Sequence, residues 1–484
     1  MLSLDVLGPG GPYRSRRQET IRDLAGNPVA TLSLAPSLYV TRAIKAMRRA
    51  PALPLDARVA AFARAARAFA TQSVAGLTPE EYQHTVSTVT GIPISVVRHA
   101  TDDIARAAEQ IHRSVENARP AAAVGSWRDP RARDGAAVWT RRGEVFAVHA
   151  AGNHPAVHQG WLDALALGYR VAVRPSRREP FTPHRLVTAL REAGFGDEGI
   201  ALLSTDHDVA DDILRHADFG MVYGGADVVG KYAGDARVLP QGPGRSKILI
   251  TAETDWEPLV GTIVESISSG GGTGCVNATG ILVEGDPSPV AAAIAERLAA
   301  LPSLPPTDER AVLPVQPVGL ARRWDGYLRQ RAAGTKAWLG GDGVVDELGD
   351  GSAVLRPAVH QLDSPFAEQL GLELGFPCAW VAPWDRDAGL RPLRDTLVLT
   401  AVTTDAELID ALVAEPTIAN VYVGDHPTPW MAHGLPHDGY LAEFLMRTKT
   451  VRCGVVPAAG VSGGPPGARC RSASAPSRSP ARHR

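Results

Sequence analysis

Residues 145–176, VFAVHAAGNHPAVHQGWLDALALGYRVAVRPS, decide the fold. The stretch opens on an apolar run, 145–151, that reads as a buried strand. Residues 155–167 then carry apolar and alanine positions at helical spacing, and a second strand-like run closes it at 169–175. Further along, a helix over 183–193, a strand at 200–203, a helix over 209–216, a strand at 219–223 and a short helix over 226–232 continue the alternation. Strands and helices taking turns in this way predict a parallel, doubly wound α/β sheet that receives ligands at the carboxyl ends of its strands.

On the amino side, residues 21–34 read as a hairpin turned at Gly26-Asn27-Pro28, and 39–69 as helix broken by the prolines at 51–54. A further helical stretch, 78–117, starts with Pro79, Glu80 and Glu81 in its first turn. An arginine- and proline-bearing segment, 118–134, separates these helices from the alternating region. On the carboxyl side the character changes near 248–256. A helix over 257–268 runs into Gly270-Gly271-Gly272-Thr273-Gly274 and ends at Cys275; a strand at 281–284 and a helix over 289–301 point to a second α/β domain. From about Val455 the chain is Gly, Pro, Ser, Ala and Arg with almost no large apolar side chain, a composition that predicts a disordered tail.

The chain has 484 residues, 44% of them hydrophobic and 21% charged, which excludes a largely disordered chain and a fibre. Its formal net charge of −2 gives no reason to expect nucleic acid or an anionic membrane as partner. Five of the fifty basic residues are lysines, a bias that reads as arginine-rich codon usage. Cys275, Cys378, Cys453 and Cys470 form neither a CxxC pair nor a disulfide scaffold. No signal-like or membrane-spanning run is visible, so a cytoplasmic location is expected.

Cys275 is the strongest chemical candidate, because small neighbours leave room for a carbonyl to reach an intrinsically good nucleophile. The competing reading is a buried small hydrophobe. Asn153 follows a strand and precedes a helix, where its amide either aims at a developing oxyanion or simply caps the helix. Arg174, Ser176, Arg177 and Arg178 follow the second strand, where arginine accommodates a ribose 2′-phosphate. No GxGxxG follows a strand; Gly224-Gly225 is the better candidate for a backbone that approaches phosphate. His154 and His158 stand four apart but lack a third ligand at a diagnostic spacing, so no metal site is expected. Trp161, Trp256 and Trp384 are candidates for an aromatic pocket, with core packing as the alternative.

Taken in order, these elements resemble the NAD(P)-dependent aldehyde dehydrogenase superfamily over about residues 13–453. Gly152-Asn153-His154-Pro155 resembles the family's asparagine–proline strand end, and Arg174-Pro175-Ser176 its Lys-Pro-Ser/Ala. Tyr223-Gly224-Gly225 is similar to its Phe-Thr-Gly-Ser turn, and the loop to Cys275 to its catalytic cysteine loop. Glu373-Leu374-Gly375-Phe376-Pro377 resembles Glu-x-Phe-Gly-Pro with glycine and phenylalanine exchanged. The resemblance implies a Rossmann-type cofactor domain with the N-terminal helices (1–250, arm segment about 118–140), a catalytic domain (251–430), a return to the cofactor domain and arm (431–454) and the tail (455–484). It implies that Cys275 attacks the carbonyl, that Asn153 stabilises the oxyanion, and that hydride moves between nicotinamide and a hemithioacetal to give a thioester. Glu373 would hold the nicotinamide ribose, with Glu368 as a rival, and Arg174, Ser176, Arg177, Gly224 and Gly225 would line the rest of an NADP or NAD site. The arginines lean the reading to NADP. A homodimer or tetramer built through an arm, with 118–138 and 444–453 as its candidate segments, is implied as well.

One departure shapes the expected reaction. Where hydrolytic members open Glu-Leu-Gly-Gly-Lys-Ser with a water-activating glutamate, this chain has Gln241-Gly242-Pro243-Gly244-Arg245-Ser246. A glutamine amide cannot accept a proton at neutral pH, and losing a positioned base lowers such a step by ~10²–10⁴-fold. The resemblance then narrows to the coenzyme A-acylating and acyl reductase branch: reduction of a thioester or acyl-adenylate to the aldehyde, or the reverse, with coenzyme A as co-substrate or an acyl-activating ligase as partner. The alternatives are a hydrolytic dehydrogenase of an aromatic aldehyde with His154 or Glu265 as base, an acyl-phosphate reductase, and an inactive partner subunit.

Overall fold

A computed structural model describes residues 1–453; the tail expected from Val455, with Cys470, lies outside them. In chain order, β1 (Val6–Gly8), β2 (Gly11–Tyr13), β3 (Val145–His149), β4 (Arg170–Arg174), β5 (Ile200–Leu202), β6 (Phe219–Tyr223) and β7 (Val238–Gln241) form one sheet, arranged β7-β6-β3-β4-β5-β1-β2. The strands β3 to β7 are parallel, and the β1–β2 hairpin closes the edge antiparallel to β5. From β3 the chain builds outward to β4 and β5, then returns to lay β6 on the other side of β3. The crevice between the carboxyl ends of β3 and β6 is therefore the topological switch point, the usual place for a ligand in such a sheet.

Period-2 alternation divides this sheet between two cores. Phe146 and Val148 pack into one with Phe62, Phe69 and Leu186, while Val145 and Ala147 pack into the other with Val40, Ile44 and Ile213. The helices behind them are mostly those expected: Ser37–Arg49 and Leu55–Thr71, split at the prolines, and His207–His216. Two differ. The expected helix over 155–167 is a 3₁₀ turn, Pro155–Gln159, followed by the short helix Leu162–Ala166. The stretch 78–117 is three helices, Pro79–Thr90, Ile94–Glu109 and Ile111–Ala118, the first started by a reciprocal Thr78–Glu81 capping box and stopped at Gly91.

The second sheet starts with the next strand of the chain. Strands β8 (Ser246–Ile250), β9 (Ala278–Glu284), β10 (Lys336–Leu339), β11 (Ala358–Gln361), β12 (Cys378–Trp384), β13 (Thr396–Val402) and β14 (Ile418–Val423) lie in the order β10-β11-β12-β9-β8-β13-β14. Since β8 pairs with β9 and β13, the change of sheet comes at residues 242–245, one strand ahead of the division expected after residue 250. Ala123–Val124, Ala136–Arg141 and Met446–Val451 form a separate three-stranded sheet, which joins the two expected arm segments.

Two buried features generate predictions. Gly91 has φ of 74°, and a Cβ there would lie 1.8 Å from the Val315 carbonyl oxygen. Gly91→Ala is expected to lower thermal stability by at least about 2 kcal/mol, above the ~1–2 kcal/mol for left-handed strain alone; Gly26→Ala (φ 90°, open surroundings) gives the strain-only control in the same melting experiment. Glu179 is buried, accepts a bond from the Thr182 N–H at 2.8 Å, and burial pushes its carboxyl from 4.5 up to about 7. The folded state thus holds this proton more tightly than the unfolded chain. Its contribution is full below pH 4.5 and is lost as pH rises through 7. Denaturant unfolding at pH 5 and pH 8 is expected to show that decline in the parent and a flatter profile in Glu179→Gln.

Candidate active site

The site lies where the carboxyl ends of the first sheet face the amino ends of the second. Cys275 stands just ahead of β9 and Gly244-Arg245 just ahead of β8, while Asn153 follows β3 and Gly224-Gly225 follows β6. Three glycines in succession with positive φ, Gly270 (61°), Gly271 (78°) and Gly272 (65°), turn the chain from the helix Val260–Ser268 toward Cys275. Asn277 staples the turn: its Oδ1 accepts from the Gly274 N–H at 2.8 Å, and its Nδ2 donates to the Ser266 and Ser269 carbonyls at 3.2 and 2.9 Å.

The segment between the sheets forms the wall behind the cysteine. A Cβ on Gly244 would come within 1.9 Å of the Cys275 carbonyl oxygen, so only glycine allows this approach. Ser246 Oγ donates to the same carbonyl at 2.9 Å, fixing the peptide plane that follows Cys275. Gln241 is buried at the end of β7, where its carbonyl accepts from the Gly224 N–H at 3.1 Å. Glu373 accepts from the Arg245 N–H at 2.7 Å, and burial raises its carboxyl. Its rival Glu368 is exposed and paired with Arg331 at 3.2 Å, outside the site.

Asn153 is brought against the cysteine loop. Its Nδ2 donates to the Thr273 carbonyl at 2.8 Å and Thr273 Oγ1 donates back to the Asn153 carbonyl at 3.2 Å. Among the described residues the second N–H of this amide has no partner. The helix-cap alternative falls to a neighbour: His154 Nδ1, not Asn153, accepts the Ala156 N–H at 3.2 Å. His158 Nδ1 accepts from Trp161 Nε1 at 3.0 Å, so each histidine of this pair already serves a local bond. Glu265 is exposed on its helix.

Burial pushes the Cys275 thiol up to about 12, and the charge on Glu373 pushes the same way. The thiol has a neighbour that no sequence pattern singles out, His437, whose Nε2 lies 3.8 Å from Sγ. This histidine sits in an irregular loop after β14 with no motif around it, and only the tertiary fold carries it to the cysteine. Beside the pair lies a cavity of about 100 Å³ whose lining includes Val276, Val398, Tyr422, Trp430, Met431 and His437. The aromatic lining is therefore Tyr422 and Trp430. Trp161 and Trp384 are core residues, and Trp256 packs on the cluster around Ile263.

At the switch point the arginines are already engaged. Arg174 is buried, with Nε donating to Thr205 Oγ1 at 2.9 Å. Arg177 pairs with Glu19 at 3.0 Å and Asp206 at 3.6 Å, and Asp206 also takes Arg17 at 2.5 Å. These carboxylates offset the charge of Arg177, whereas Arg174 and Arg178 bond the neutral oxygens of Thr205 and Thr90. What the crevice offers a flat dinucleotide is short side chains and accessible backbone: Gly152 packed on Ser176, then Gly224, then Gly225 at the start of the helix Ala226–Tyr232.

The aldehyde dehydrogenase family model matches residues 12–387. Malonate-semialdehyde dehydrogenase 1 of Geobacillus thermodenitrificans is 27% identical over 157 residues, 31% of this chain and 32% of its own. The malonate-semialdehyde dehydrogenase of Lacticaseibacillus casei is 29% identical over 140 residues, 27% and 28% of the two chains. The matched stretch thus spans about a third of the length of these relatives. Among solved structures, an indole-3-acetaldehyde dehydrogenase complexed with NAD+ superposes with a TM-score of 0.78 at 17% identity, covering 93% of this chain and 96% of that one. The gamma-glutamyl-gamma-aminobutyraldehyde dehydrogenase of Burkholderia cenocepacia gives 0.76 at 19% identity, covering 92% and 96%. By its sequence over residues 12–387 and by its fold, the chain belongs to the aldehyde dehydrogenase family.

Proposed function

We propose that the chain is an NAD(P)-dependent oxidoreductase that interconverts an aldehyde and an activated acyl group through a thioester on Cys275, and that coenzyme A, not water, is the acyl partner. The observation that carries this reading is Gln241 in the position of the water-activating carboxylate, buried against Gly224. Glu373 does not replace that base, since its carboxylate accepts main-chain N–H groups of the 244–245 segment.

In this reading Cys275 Sγ adds to the carbonyl carbon, and the second N–H of Asn153 donates to the oxyanion that forms. The nicotinamide, when bound, supplies the hydride acceptor or donor. Gly152, Ser176, Gly224 and Gly225 would hold the dinucleotide through backbone and short side chains, and Glu373 the nicotinamide ribose. With Arg177 paired to Glu19 and Asp206, NADP has no stronger claim than NAD. Ser246 and Gly244 keep the cysteine loop from moving as the carbon changes hybridisation. The cavity beside Sγ is lined mainly by apolar groups, and among the described residues no Lys, Arg, Asp or Glu lines it. A carboxylated substrate such as malonate semialdehyde would find no cation there, so we propose an uncharged, apolar aldehyde. The arm-like sheet 123–124, 136–141 and 446–451 supports assembly as a homo-oligomer, since it leaves strand edges to pair.

Absorbance at 340 nm with an aldehyde panel, NAD or NADP, and coenzyme A present or absent tests the reading. Turnover is expected to require coenzyme A, and Gln241→Glu to increase release of free acid without it. Ready acid release by the parent would reject coenzyme A as the acyl partner. In the same assay Cys275→Ala is expected to abolish turnover, and Asn153→Ala to lower kcat by ~10²–10³-fold with a smaller change in KM, as loss of an oxyanion donor does.

A further inference from the structure

We infer that His437 is a catalytic residue: its Nε2 takes the proton from the Cys275 thiol as sulfur adds to a carbonyl, and returns it when the thiol leaves. The inference rests on the reading of Cys275 as the nucleophile. Its first support is geometric. Sγ and Nε2 are 3.8 Å apart, and His437 and Val276, the residue after the cysteine, both line the adjacent cavity.

The second support is that the imidazole is held there by a built path. Asn420, on β14, donates from Nδ2 to the His437 carbonyl at 2.6 Å and to the Leu397 carbonyl at 2.9 Å. The Leu397 N–H donates to the Gly244 carbonyl at 2.7 Å, and Gly244 is the residue pressed against the Cys275 carbonyl. Backbone hydrogen bonds and one side-chain amide thus register an irregular loop against the cysteine. Trp430 and Met431, which share the cavity wall with His437, are exposed.

The step balances without a further reactant. The S–C bond forms, the carbonyl π pair moves to oxygen beside Asn153, and the S–H proton passes to Nε2, with His437 in the Nδ1–H tautomer. The titratable groups around the pair are Asp438, next in the chain, and Glu373 and Tyr223 across the site. Burial depresses His437 against the opposing pull of Asp438, so the imidazole is neutral and able to accept. Burial and Glu373 hold the thiol protonated. A preformed thiolate is disfavoured, and the proton leaves as the new bond forms.

Alkylation by iodoacetamide, followed by peptide mapping, tests this without cofactor or substrate. In the parent, the Cys275 rate is expected to plateau from mildly acidic to mildly alkaline pH, to fall below it as His437 protonates, and to rise again only when the thiol itself ionises. His437→Gln is expected to lose the plateau, to rise in proportion to hydroxide throughout, and to react ~10²-fold more slowly at pH 7, the scale of a lost general base. A plateau that survives in His437→Gln overturns the proposal and leaves Cys275 as nucleophile. A parent profile with no plateau overturns it as well, whether or not the variant folds. Cys275 that stays unlabelled while exposed Cys453 reacts overturns both the proposal and the reading it rests on.

Discussion

The tight approach of Gly244 to the carbonyl of Cys275, which leaves no room for a Cβ, is the contact on which the rest depends. It occurs in the only stretch that passes directly from the last strand of the first sheet to the first strand of the second, residues 242–245. The same few residues fix the spacing of the two sheets, form the wall behind the cysteine, and accept the hydrogen bond that registers β13. A side chain at 244 would push the cysteine loop away from all three at once. Close packing of this kind behaves as a rigid unit, because a dense interior has no soft direction in which to yield.

Around that contact the site is assembled from both ends of the α/β logic. The first sheet contributes the carboxyl ends of its parallel strands, where Asn153 and the Gly224-Gly225 turn flank the switch point. The second contributes the amino ends of β8 and β9, where Arg245 and Cys275 sit. Two sheets meeting tip to tip leave a crevice that neither could form alone, and the polar groups converging there come from segments far apart in sequence.

The parts legible in the sequence were those carried by local physics. Alternating apolar periods marked the first sheet and its helices, and the Tyr223-Gly224-Gly225 and Gly270–Gly274 turns announced themselves through glycine. Periodicity alone runs 78–117 together as one helical stretch, whereas Gly91 and Pro93 end and restart the helix. What tertiary partners decide could not be seen. That Thr205 holds Arg174, and Glu19 and Asp206 hold Arg177, is such a case, since no local pattern pairs residues so far apart in the chain. His437 and its anchor Asn420 carry no pattern, because their meeting with Cys275 depends on where β14 lies in the second sheet. Trp161 and Trp384, expected as possible pocket walls, followed the commoner fate of tryptophan into the core.

The half-buried, protonated state of Cys275 has one more consequence, for the life of the molecule between turnovers. Peroxide and other oxidants attack thiolates far faster than thiols, and the first product, a sulfenic acid, leads on to irreversible oxides. A sulfur held protonated by its surroundings presents no anion to such reagents. The surroundings that make this thiol slow to ionise are thus also its protection against oxidative wear.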